Sequence, residues 1–103
     1  ATVAGTALEN QRRADADLPL ILADLRYGRY GEVVARGNRI LGGGSLTRAQ
    51  LATVHRSLLE AYVALEARAE AAAACAAWRA NDPSATIDPV RVSPKIIAAC
   101  STN

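Results

Sequence analysis

His55, Ser57 and Glu60 are the nearest thing to an acid–base set in this chain, and His55 is its single histidine. Acid–base work needs groups that converge on one reacting atom. All three residues fall on one apolar-periodic helix, where His55 reads as a packing residue, and no converging partner from another part of the chain is identifiable. A zinc site needs more ligands than one histidine and the well-separated Cys75 and Cys100 supply. Gly42-Gly43-Gly44-Ser45 has the glycines of a phosphate loop but neither its lysine nor a preceding strand, so it reads as a flexible connector. These readings predict no enzyme, no cofactor and no metal.

Cys75 and Cys100 carry the remaining chemistry. They read either as a disulfide or as two buried thiols packing as small apolar groups. A bridge closing a loop of this length stabilises by roughly 3 kcal/mol on the chain-entropy argument. An exported protein favours the bridge and a cytosolic one the thiols.

Composition bounds what can position these groups. With 103 residues the chain is one domain. Phe and Met are absent, so the core must be Leu, Val, Ile and Ala. Alanine dominates from Ala61 to Ala80, where helix propensity and close axis approach agree. Only Ala85 to Val92 is even briefly β-like, and the chain reads as all-α. A net charge of +2 leaves no clustered basic face for nucleic acid. No apolar run approaches the ~20 residues that span a bilayer.

Residues 1–16 read as an N-terminal arm holding a short helix that begins at a Thr6–Glu9 capping box, with Leu8 its main apolar residue. Asp17 and Pro19 then read as a helix start, followed by a stripe of Leu18, Ile21, Leu22 and Leu25. The alternative is one helix running straight through Pro19. Gly28-Arg29-Tyr30-Gly31 breaks the pattern, and Val33, Val34, Ile40 and Leu41 form the next stripe, ending at the triple glycine. Thr47 and Gln50 form a capping box flanked by Leu46 and Leu51. The helix it opens carries Val54, Leu58, Leu59, Tyr62 and Leu65, and Arg56 with Glu60 makes an i, i+4 pair. A turn near Glu66 leads to a fourth helix from about Arg68 to Ala80, stopped by Asn81-Asp82-Pro83. Ser93-Pro94 starts a last short helix to about Cys100, so residues 84–103 read as a capping segment of the domain 17–103.

Leu58, Tyr62, Ala71 and Pro83 fall at the spacing of conserved positions in a tetratricopeptide repeat, and Gly28-Arg29-Tyr30 with Val33 resembles its inter-helix turn and small residue. On that resemblance Leu18 to Leu41 looks like a first repeat and Leu51 to Pro83 like a second. His55 stands where an aromatic is usual, Glu66 where the turn glycine is, and Gly37 and Cys75 at the second-helix aromatic. The run from Asp88 to Ala98 is similar to segments that close such repeat pairs in bacterial envelope proteins. The resemblance implies two antiparallel hairpins with a C-terminal capping helix and a protein that binds proteins.

Hairpins of this kind cannot bury their own apolar faces. The expectation is an exported, self-assembling structural subunit, periplasmic or extracellular, that forms oligomers or filaments with copies of itself. The alternative is an adaptor domain of a larger envelope or cytoplasmic protein with a different partner. A start at Ala1 rather than Met fits either a mature exported chain or an excised domain. Candidate interface residues are Leu8, Tyr27, Tyr30, Trp78, Ile96 and Ile97.

Overall fold

The computed structural model describes residues 3–88, 90 and 92–101, with side chains from Thr6 onward. Five α-helices account for its regular structure, and no strand occurs among the described residues. α1 (Val3–Arg26) pairs with α2 (Tyr30–Gly43), and α3 (Arg48–Ala64) pairs with α4 (Arg68–Asn81). α3 lies against both helices of the first hairpin, and α5 (Pro94–Cys100) lies against both α3 and α4.

α1 takes the second of the two readings and runs unbroken through Pro19. The expected break at Asp17 does not occur, and Thr6 sits inside the helix rather than capping it. Proline cannot donate to the carbonyl four residues back, but Pro19 and Asp15 are both exposed, so that carbonyl is open to solvent. Packing holds the helix on both sides of the defect. Ala14 and Ile21 are buried, and Asn10 and Gln11 reach across to the α2–α3 connection. The residues of the expected arm from Val3 onward are helical and continue into the rest of α1.

The helix ends follow local chemistry more closely. Thr47 Oγ1 accepts from the Gln50 amide at 3.1 Å, and Gln50 Oε1 accepts from the Thr47 amide at 3.0 Å, which completes the capping box. Ser93 Oγ accepts from the Ile96 amide, with Pro94 in the first turn. Between α4 and α5, the Asp82 carboxylate holds the Ser84 amide and hydroxyl. The Asp88 carboxylate holds the Val90 amide.

Both hairpins turn in the same way. At the first, Gly28 donates to Leu25 and Arg29 to Asp24; at the second, Glu66 donates to Val63 and Ala67 to Tyr62. This crossed pair of bonds closes a helix on one left-handed residue, Gly28 (φ +71°) or Glu66 (φ 60°). α2 and α4 then run for 14 residues each, from Tyr30 and from Arg68. The hairpins are therefore in constant register, with Ile21 answering to Leu59, Val33 to Ala71 and Gly37 to Cys75, all buried. Ile21, Val33, Val54, Leu59 and Cys75 are the largest fully buried side chains. Full burial of an aliphatic side chain is worth about 2 kcal/mol.

Candidate interaction surface

The sequence-level acid–base set does not assemble. Ser57 Oγ donates to the Thr53 carbonyl at 2.9 Å, and Glu60 pairs with Arg56 at 3.1 Å. His55 is partly buried, and that burial pushes its pKa below the ordinary 6.5. No group of three or more His, Cys, Asp or Glu residues comes together as a metal site among the described residues. None of the described helices is long and apolar enough to cross a membrane.

The cysteines do meet. Cys75 on α4 and Cys100 on α5 are joined in a disulfide with Cα atoms 5.5 Å apart, across 25 residues of sequence. The bridge ties down a helix of only seven residues, too short to persist alone. Constraint of a loop this long stabilises by about 3.5 kcal/mol on the chain-entropy argument.

Two polar junctions escaped the sequence reading. Asp24, 4% exposed, accepts Arg29 Nε at 2.8 Å and Arg36 Nε at 3.3 Å. The Arg29 hydrogen bond holds the Asp24 carboxyl below its ordinary 3.8, with burial opposing and Arg36 assisting. An acid in the last turn of a helix opposes the helix dipole, and that mismatch was the available signal of a nearby cation. The second junction centres on Gln50, 6% exposed, whose amide donates to the Gln11 carbonyl at 2.9 Å and to Asp15 at 2.8 Å. Gln11 in turn reaches the Ser45 carbonyl, and Asn10 the Gly43 carbonyl.

The six interface candidates separate by position. Leu8 on α1 and Tyr27 in the turn after it are exposed, at 53% and 69%. Tyr30 and Trp78 instead pack partly against the core, and Arg56 lies over the Trp78 ring at 5.2 Å. Ile96 is buried where α5 lies against α3 and α4, and Ile97 is half-buried. Leu22, expected in the inward stripe, is 49% exposed, and Leu20 beside it is 47% exposed. α1 therefore leaves Leu8, Leu20 and Leu22 exposed among the charged Glu9, Arg12, Arg13, Asp15 and Arg26, with Tyr27 exposed just past its end.

At the opposite end, an open groove of about 530 Å³ runs between α5 and the α3–α4 turn. Tyr62, Val63 and Ala71 form one side and Ala98 and Ala99 the other, with the charged Glu66, Arg68 and Lys95 also lining it. It exists because small residues meet there; Ala71 takes the place that Val33 fills in the first hairpin. Comparison with protein families, with curated proteins and with solved structures gives no match to this chain.

Proposed function

We propose that this protein is a non-enzymatic, tetratricopeptide-like helical module that associates with copies of itself. One observation carries the reading: α1 and the turn after it leave Leu8, Leu20, Leu22 and Tyr27 about half exposed or more. Single exposed leucines are ordinary, but three on one helix with a tyrosine just past its end point to a contact surface. The matching turns and equal second helices of the two hairpins support the repeat reading. The Cys75–Cys100 bridge supports an oxidising location outside the cytoplasm.

Sedimentation over a range of concentrations, with and without reductant, tests this. We expect species above monomer mass, and Leu20→Glu on the α1 face should return the protein to monomer. A monomer at every concentration in both redox states would refute the proposal. A second reading, an adaptor for a different protein, is favoured by the groove beside α5, which is open to another chain's side chains.

A further inference from the structure

The constant register of the hairpins extends to α5. Continued from α3, it sets Ile96 and Ala99 of α5 in the places of Leu58 and Ala61, with Val92, just before α5, answering to Val54. The correspondence is spatial as well. Leu58 is the nearest neighbour of Gly37 on the preceding hairpin, and Cys75, which answers to Gly37, is bonded to Cys100, one turn along α5 from Ile96, the residue that answers to Leu58. α5 lies on α3 and α4 as α3 lies on α1 and α2. It is half of a third repeat's first helix, sitting in the seat such a helix takes.

The same register carried backwards falls on the outer face of α1. Ala16, Leu20 and Ala23 answer to Val54, Leu58 and Ala61. On α3 that triplet is buried at 0%, 3% and 0%, whereas on α1 Leu20 is 47% exposed. α1 thus presents an uncovered docking triplet. One residue more is informative: Leu22 of α1 answers to Ala98 of α5. Ala98 is a wall of the groove, so α1 in the place of α5 would bring a leucine to the space that alanine leaves empty.

We propose that the seat on α3–α4 receives α1 of a second copy, and that α5, locked by Cys75–Cys100, is the plug that closes it. The inference rests on self-association and names both surfaces. Opening needs a dithiol. One of its thiolates attacks a bridge sulfur and forms a mixed disulfide. Its second sulfur then closes the dithiol's own ring. Two electrons and two protons pass to Cys75 and Cys100, which leave as thiols. A short helix without its tether spends more time undocked, and the fraction of open seats sets the apparent affinity. The α1-to-seat contact joins different surfaces, so it does not close on itself and builds chains longer than two.

The test is sedimentation velocity of the whole protein, oxidised and dithiothreitol-reduced, with circular dichroism confirming retained helix. Reduction should tighten association about tenfold or more. Leu22→Glu should abolish that gain, and Ala35→Glu on the exposed side of α2 should not. Ile96→Ala with the bridge intact loosens the plug without reductant and should tighten association several-fold; it decides the matter if the reduced chain loses helix. Association that ignores both reduction and Ile96→Ala overturns the seat while leaving self-association standing. No association in any state overturns both.

Discussion

Glu66→Gly should make this protein more stable. Glu66 holds φ 60° at the left-handed position that closes α3, where its counterpart in the first hairpin is Gly28 at φ +71°. A side chain in that region costs roughly 1–2 kcal/mol, and glycine's extra freedom in the unfolded chain returns about 0.4–1 kcal/mol of the gain. Charge loss adds little, because Glu66 lies between the C-terminus of α3 and the N-terminus of α4, whose dipoles act on it in opposite senses. The net gain is then roughly 0.5–1 kcal/mol, raising Tm by roughly 2–8 °C for a domain of this size. Gly28→Ala is the mirror test. A Cβ there would meet nothing nearer than Tyr30 at 3.9 Å, so only the backbone conformation objects, and stability should fall by about 1 kcal/mol. Thermal and urea unfolding by circular dichroism read both. If Glu66→Gly is destabilising, or Gly28→Ala costs nothing, the two turns are not the matched left-handed closures described above.

Gly37→Ala should destabilise, because its Cβ would sit 2.9 Å from Leu58 Cδ2 and 3.2 Å from Cγ. Overpacking costs about 1–3 kcal/mol and helix propensity returns about 1, whereas Gly31→Ala, with open space around it, should be neutral or stabilising in the same urea titration. Cys75→Ala/Cys100→Ala should lower stability by about 3.5 kcal/mol on the chain-entropy argument; hydrogen exchange should show the amides of α5 losing protection before those of α3. Acid should weaken the fold in two steps. His55 has its folded pKa below 6.5, so its contribution is full above 6.5 and fades as pH falls past that value. Asp24 has its folded pKa below 3.8, so its contribution is full above 3.8 and is lost as pH falls through the depressed value. In urea midpoints followed against pH, His55→Gln should remove the first decline and Asp24→Asn should flatten the second.

Where a helix boundary is written in local chemistry, the sequence was sufficient. Thr47 with Gln50, Ser93 with Pro94 and the Asn81-Asp82-Pro83 stop each satisfy or forbid specific backbone bonds, and the helices begin and end there. Pro19 misled because its preference for a first turn is a local rule. Burial of Ala14 and Ile21 and the reach of Asn10 and Gln11 outweigh it. Facing was harder to read than helicity. Leu18, Ile21, Leu22 and Leu25 all fit one apolar stripe, yet α1 turns Ile21 fully inward and leaves Leu22 half outside. On α5, seven residues are too few for a periodic pattern to choose a face, and Ile96 went to the core. The Gln50 junction had no signal, since it depends on which helices meet.

The two hairpins share a backbone plan but are fastened by different chemistry, and this separates what can loosen them. The first is secured by charge and amides: Asp24 draws Arg29 and Arg36 across the α1–α2 turn, and Gln50 ties α3 to Gln11 and Asp15. In the second hairpin Tyr62 stands where Asp24 does and Arg68 where Tyr30 does, so the equivalent space has no such ion pair at its centre and opens as the groove. Its outer cover is held by the disulfide instead. Protonation of Asp24 therefore acts on the α1–α2 junction and leaves the bridge untouched, while thiols act on α5 and leave Asp24 paired. A shared response of both ends to either agent would mean that the polar junction and the sulfur bridge hold one cooperative unit. Separate responses follow from the arrangement of side chains seen here, and they place the labile end of the molecule at α5, where the chain's own helix fills its seat least completely.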